Sequence, residues 1–154
     1  MIGTIQDITE KKAIEKTLKK WEQTFQHAEW GIVISDLESS TLGMTNPAFA
    51  KMLGYETEDI TKMSIDNVFA PESRKTGLEQ IKKAQSTNYY EYESSLLRKD
   101  GSTFPVFISV TVVPETEKTG AYRIINIQDI TERKEAETVE KDLERLNTLR
   151  LLSS

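Results

Sequence analysis

Ile124-Ile125-Asn126-Ile127-Gln128-Asp129-Ile130-Thr131-Glu132, followed by Arg133-Lys134, joins two patterns in one stretch. Ile124, Ile125 and Ile127 are β-branched, stiff at χ1, and suit a strand. Asp129 has the short carboxylate that accepts from the free amides of a first helical turn. Glu132, three residues on, stands where a capping box needs its reciprocal partner. The stretch reads as a strand that turns at once into a helix and holds that helix at a fixed angle to a sheet. Six of these residues occur twice: Ile5-Gln6-Asp7-Ile8-Thr9-Glu10, followed by Lys11-Lys12, repeats Ile127 to Glu132 at an offset of 122 residues. A hexapeptide repeated at domain-sized spacing predicts that the chain begins in the last strand of one unit and runs through the whole of the next. Residues 1–20 are then the end of a preceding repeat plus a linker helix, 21–132 a domain, and 133–154 a coiled-coil linker.

The segments after each copy show heptad spacing. Ile14, Leu18, Trp21 and Phe25 are separated by four, three and four residues; Ala136, Val139, Leu143 and Leu146 by three, four and three. Charged residues fill the other faces, so each helix carries a narrow apolar seam of the kind that pairs helices in a two-stranded coil. For the first helix a second reading stays open: Trp21 and Phe25 are bulky for such a seam and equally suit packing on the domain's own sheet. The last helix is short enough to need a partner, and Arg150 interrupts its seam.

Between the helices the period changes. Ile32, Val33 and Ile34 form an apolar strand ending at a turn of Asp36, Glu38, Ser39 and Ser40, with a short return strand over 41–45. Asn46-Pro47 opens a helix, Asn at the cap and Pro at the first helical position, and Gly54 ends it as a left-handed cap. A short helix begins near Thr57, a turn carries Ile65, Val68 and Phe69, and Ser73 is placed to cap a longer helix. Tyr90, Tyr92, Ser94 and Leu96 alternate with Glu91, Glu93, Ser95 and Leu97, the first set pointing inward. Asp100-Gly101 predicts a tight hairpin with positive φ at both turn positions. The next strand runs from Phe104 to Val113 and the last from Ala121 to Gln128. Two strands, several short helices, then three strands make an α+β domain with helices on one face of an antiparallel sheet.

Composition removes several function classes. The 154 residues carry a net charge of −5, without the basic face a nucleic-acid binder needs. No cysteine is present, which excludes disulfides, thiolate metal sites and cysteinyl nucleophiles or adducts, and fits a reducing compartment. No apolar run approaches a membrane span and no leader pattern is visible. The expectation is a cytoplasmic chain with no direct membrane contact.

In this order and spacing, Asn46-Pro47-Ala48-Phe49…Leu53-Gly54-Tyr55, the Arg98-Lys99-Asp100-Gly101-Ser102 hairpin and Asp129-Ile130-Thr131 before a helix make the chain resemble the PAS superfamily over nearly its whole length. The resemblance implies a five-stranded antiparallel sheet of order 2-1-5-4-3, short helices over one face, and a pocket between them. It also implies a sensory module of a longer protein such as a histidine kinase or a cyclic-nucleotide enzyme, passing signals through flanking coils, often as a parallel dimer. The departures are informative. The flavin photoreceptor type has a helical cysteine, absent here, and a Gln where Ile127 stands. The haem type uses a His on the long helix, whereas the sole histidine, His27, precedes the first strand, and Met52 and Met63 have no supporting pattern. Members often place an Arg two residues after the Glu of the third strand; Ser95 stands there, so Glu93 is expected to lack its ion pair.

These readings set the expectations for function. The chain is expected to be non-catalytic and to form a homodimer through Ile14, Leu18, Trp21, Phe25, Phe107, Ala136, Val139, Leu143 and Leu146. Asp129, Ile130, Thr131 and Glu132 relay a change in the core to an output domain elsewhere in the same parent chain. The pocket candidates are Ile34, Phe49, Met52, Ile65, Phe69, Tyr90, Tyr92, Ser94, Ile108, Val110, Ile125 and Ile127, which serve equally as a filled core. No metal site is expected, nor any cofactor, with haem and non-covalent flavin left open. No nucleophile with a partner base and no phosphate-cradling loop is present.

Overall fold

Asn46 fixes the first contact between sheet and helices. Fully buried, its Oδ1 accepts from the backbone amides of Ile32 (2.8 Å) and Phe49 (3.2 Å), while Nδ2 donates to the Trp30 carbonyl (2.9 Å). One side chain thus caps a helix and ties it to a strand. In the computed structural model, backbone is described for residues 2–153 and side chains for residues 7–152. Met1 and Ser154, the outer bounds of the three-part division, lie outside, as do the side chains of Ile5 and Gln6 in the first hexapeptide.

The elements are α1 (Ile2–His27), β1 (Gly31–Asp36), β2 (Met44–Thr45), α2 (Pro47–Leu53), α3 (Thr57–Ile60), 3-10 turns over Ile65–Val68 and Pro71–Ser73, α4 (Arg74–Thr87), β3 (Tyr89–Leu97), β4 (Thr103–Val113), β5 (Tyr122–Asp129) and α5 (Thr131–Ser153). The strands form one antiparallel sheet in the order β2-β1-β5-β4-β3, as expected. Val33, Ile125 and Val110 lie in one row across β1, β5 and β4, with Ile127 and Ile108 in the next. All are buried against Phe49, Ala50, Leu53, Val68, Phe69, Ile81 and Ala84 from the helical layer. Each such apolar side chain contributes about 1.5–3 kcal/mol when taken out of water.

Several local expectations are corrected. The first hexapeptide is helical, inside α1, where its second copy ends a strand. The second copy lies between β1 and β4, whose backbones complete its hydrogen bonds. Among the described residues no strand pairs with the first copy, and the helix satisfies its polar backbone. Ser73 makes no side-chain cap: it ends the preceding 3-10 turn with φ −102 and ψ −5, which is not the extended geometry that aims a cap at the first amides. In the β3–β4 hairpin only Gly101 has positive φ, at 90. The loop is a type I turn followed by a left-handed glycine, closed by the Arg98 amide on the Ser102 carbonyl (2.8 Å). Asp100 instead accepts from the amide and hydroxyl of Ser102, at 2.9 and 2.6 Å, which lowers its carboxyl pKa. β2 is only two residues long, because Thr41 pairs with Ser64 rather than with β1. Gly54 adopts the predicted left-handed cap, at φ 82.

Candidate functional site

The sheet and the helical layer enclose a cavity of about 30 Å³. Seven of the expected residues line it: Phe49, Ile65, Phe69, Tyr92, Ile108, Ile125 and Ile127. Val33, Leu42, Val68, Ile81 and Leu96, none of them among the pocket candidates although Leu96 was expected to point inward, complete the wall. Ile34 is a correction. It pairs with Met44 and Ile124 on the opposite face of the sheet, and its neighbour Val33 takes the inward place. Met52, half-buried, sits at the rim of the core; Tyr90, Ser94 and Val110 lie on inward rows but outside the cavity wall. The only polar side chain in the wall is Tyr92. Its hydroxyl donates a long bond (3.4 Å) to the Gly77 carbonyl, and burial pushes the phenol pKa up, so the group stays neutral. A β-carbon at Gly77 would lie 2.4 Å from Phe69 Cε1, so the missing side chain lets the Phe69 ring close the cavity against α4.

The cavity has room for a few water molecules. A haem or an isoalloxazine ring does not fit it, and the wall offers no imidazole, carboxylate or amide to hold either. His27 lies outside, in a surface groove with Pro47, Met52, Arg98 and Asp129. Among the described residues no cluster of His, Asp or Glu is arranged for a metal ion.

The second feature is the junction of β5 with α5. Ile130 is buried, its amide donates to the Pro105 carbonyl of β4 (3.1 Å), and its own carbonyl accepts from Lys134 (3.0 Å) to begin the helix. Asp129 Oδ1 accepts from the amide (2.9 Å) and hydroxyl (2.5 Å) of Thr131, while Arg98 stands 3.8 Å from its other oxygen. Glu132 makes no reciprocal bond to Asp129, since the Asp129 backbone is still in the β4 ladder opposite Val106. Glu93 is paired after all. Arg133 and Lys134 of α5 both bind its carboxylate, Lys134 at 2.8 Å, supplying from the exit helix the charge that position 95 lacks. The Lys134 hydrogen bond lowers the Glu93 pKa, and the same bond raises that of Lys134.

A family model for the PAS domain matches residues 30–132, which hold the cavity and the junction as far as Glu132. The chain belongs to the PAS family. Among curated relatives, the sensor histidine kinase TmoS of Ectopseudomonas mendocina is 27% identical over 135 residues, covering 86% of this chain and 14% of the kinase. The probable diguanylate cyclase DgcE of Escherichia coli K12 is 28% identical over 142 residues, covering 91% and 13%. The chain therefore spans about one seventh of the relatives it matches. The PAS domain of a Colwellia psychrerythraea protein superposes with a TM-score of 0.68 at 18% identity, over 75% of this chain and 98% of that one. A PAS domain solved in complex with ethanol, from a LuxR-family regulator of Burkholderia thailandensis, gives 0.59 at 16% identity, over 71% and 96%. A light-oxygen-voltage domain with a flavin analogue gives 0.61 at 17% identity, over 80% and 93%. At these identities the solved structures establish the fold alone.

Two further features of this PAS domain concern its surfaces and its core. The seam residues do not behave alike. Phe25 is only 6% exposed, turned onto the domain and stacked with Trp21 (5.4 Å between rings), so it departs from the expected seam. Ile14, Leu18, Trp21, Ala136, Val139, Leu143 and Leu146 remain exposed, and Phe107 lies half-buried on the outer sheet face near Trp30. Arg123 is a buried cation that the sequence pattern hid. Its Nε donates to Ser35 Oγ (3.1 Å) and its Nη2 to the carbonyls of Asp36, Leu37 and Ser39 (3.2, 2.8 and 3.4 Å), which pins the β1–β2 connection. Burial lowers its pKa from the ordinary guanidinium range. Among the described residues no helix is long and apolar enough to cross a membrane.

Proposed function

We propose that this PAS domain is a non-catalytic sensory and dimerisation module of a longer cytoplasmic signalling protein, and that α5 carries its state to an output domain of the same parent. The observation that carries the reading is Ile130: buried in the domain, bonded to β4, and the first link of α5. A repacking of the core that moves β4 or β5 turns the root of the helix with it, which is how a two-state element passes on a small bias. The relatives, a histidine kinase and a cyclase, supply the kind of output. Two copies form the unit, because apolar stripes on α1 and α5 lie in water when the chain is alone. Sedimentation of the whole chain and of a chain ending at Thr131 tests the exit helix. A dimer for the first and a weaker dimer or monomer for the second is expected; equal association of both removes α5 from the interface.

A second reading rests on the cavity. Its apolar wall and single hydroxyl suit a molecule of a few heavy atoms with one hydroxyl, and the neighbour solved with ethanol supports that size class. Titration with short alcohols, followed at the Tyr92 ring resonances, is expected to shift them saturably; unmoved resonances would end this reading.

A further inference from the structure

We propose that α1 of one copy pairs antiparallel with α5 of a second copy, rather than each helix pairing with its own kind. The inference rests on the dimeric reading above and decides which helices meet. Gln26, His27 and Asp129 line one groove, so the last turn of α1 and the root of α5 leave the domain from the same place. Within one chain the two stripes do not cover each other: Leu18 is 62% exposed and Val139 57%.

The layers favour the mixed pair. Read forward, Ile14, Leu18 and Trp21 are spaced by four and three residues; read backward, Leu143, Val139 and Ala136 have the same spacing. Antiparallel alignment sets Ile14 on Leu143 of the second copy, Leu18 on Val139 and Trp21 on Ala136, so the bulkiest side chain meets the smallest. Like-with-like parallel pairing stacks Trp21 on Trp21 and Ala136 on Ala136, crowding one layer and hollowing another.

The charges favour it too. Residues 11–20 hold five lysines and one acid, whereas residues 135–144 hold five acids and one lysine. In heptad terms, parallel pairing sets Glu10 against Glu15 of the second copy and Glu135 against Glu140, each twice per dimer, and like charges so placed repel. The antiparallel mixed pair keeps only one kind of clash, Glu15 with Glu140, twice per dimer where parallel pairing has four.

The chain has no cysteine, so single thiols report without background. Leu18→Cys and Val139→Cys, both at exposed positions, are mixed under mild oxidation. The mixture is expected to give a disulfide-linked heterodimer at least tenfold faster than either variant alone gives a homodimer. Self-linking of each variant at the rate of the mixture, or a sedimenting dimer without any link, overturns the mixed pairing and leaves the dimeric module intact. A monomer that never links overturns both. Charge reversal is a second readout. Glu15→Lys and Glu140→Lys are each expected to tighten association roughly tenfold, two contacts per dimer changing sign, and the double variant to return to the original affinity. Further tightening in the double variant means like-with-like pairing and sinks the inference.

Discussion

Arg123 holds a charge 5% exposed with no carboxylate partner among the described residues, so its stability rests on donors meeting backbone carbonyls. Replacing it with Met leaves Ser35 Oγ and the carbonyls of Asp36, Leu37 and Ser39 without their donor. Each unsatisfied buried group costs about 1–3 kcal/mol, and partial access of water to the loop reduces the sum. Urea unfolding of Arg123→Met is expected to show a loss of about 2–4 kcal/mol by the same reasoning; Arg123→Lys, a point charge without the planar fork, recovers only part of it. Stability unchanged in the Met variant would mean that the β1–β2 connection is held by something else. At this scale some residues were legible and others silent. Asn46, Gly54 and Tyr92 followed from turn chemistry and alternation. Val33 was missed for Ile34 because Ile32, Val33 and Ile34 are all apolar, and a run without polar residues does not say which parity faces in. Arg123 shares the inward parity of Ile125 and Ile127, yet nothing in the sequence marks it, since only the carbonyls of a distant loop make its burial tolerable.

At the scale of the element, the clamp between β3 and α5 has a pH window. Glu93 has a lowered pKa, so its contribution is present above the ordinary value near 4.5 and is lost as pH falls through the lowered one. Lys134 has a raised pKa, so its share persists below 10.5 and is lost only as pH climbs through the raised value. The clamp is therefore intact across the neutral range. Its groups are nearly half exposed and solvent-screened, so it steers the helix more than it stabilises the fold. A carboxyl-carbon NMR titration is expected to place the Glu93 midpoint below 4.5, and Lys134→Ala to move it upward. An unmoved midpoint would assign the effect elsewhere. The pairing was invisible to spacing along β3, because the cations come from an element 40 residues later in the chain. The first hexapeptide teaches the same lesson from the other side. Identical residues end a strand in one copy and lie within a helix in the other, because strand pairing is decided by neighbours and not by the segment.

For the whole molecule, the sheet order and the helical layer were legible through the PAS resemblance, because three motifs, each weak alone, stood in the right order along the strand periodicity. The size of the cavity was not, since alternation marks inward residues without saying how far their rings fill the space between layers. If two copies associate as proposed, the outer helices set a concentration dependence. A helix draws most of its stability from packing of its apolar face, which α1 and α5 lack when the chain is alone, whereas the sheet has its own core. Far-ultraviolet circular dichroism is expected to gain helical signal as the chain is concentrated through its association range, with near-ultraviolet signals from the core constant. Helicity independent of concentration would show that α1 and α5 stand without partners. The position of β5 bears on biogenesis as well. It is the middle strand of the sheet, yet it is the last strand to be synthesised. On the ribosome, the β1–β2 and β3–β4 hairpins emerge as two separate edges with a gap between them, and the gap closes only once residue 129 has appeared. A nascent chain stalled earlier exposes the apolar inner surface of both halves, which makes it a substrate for chaperones rather than a smaller version of the finished domain.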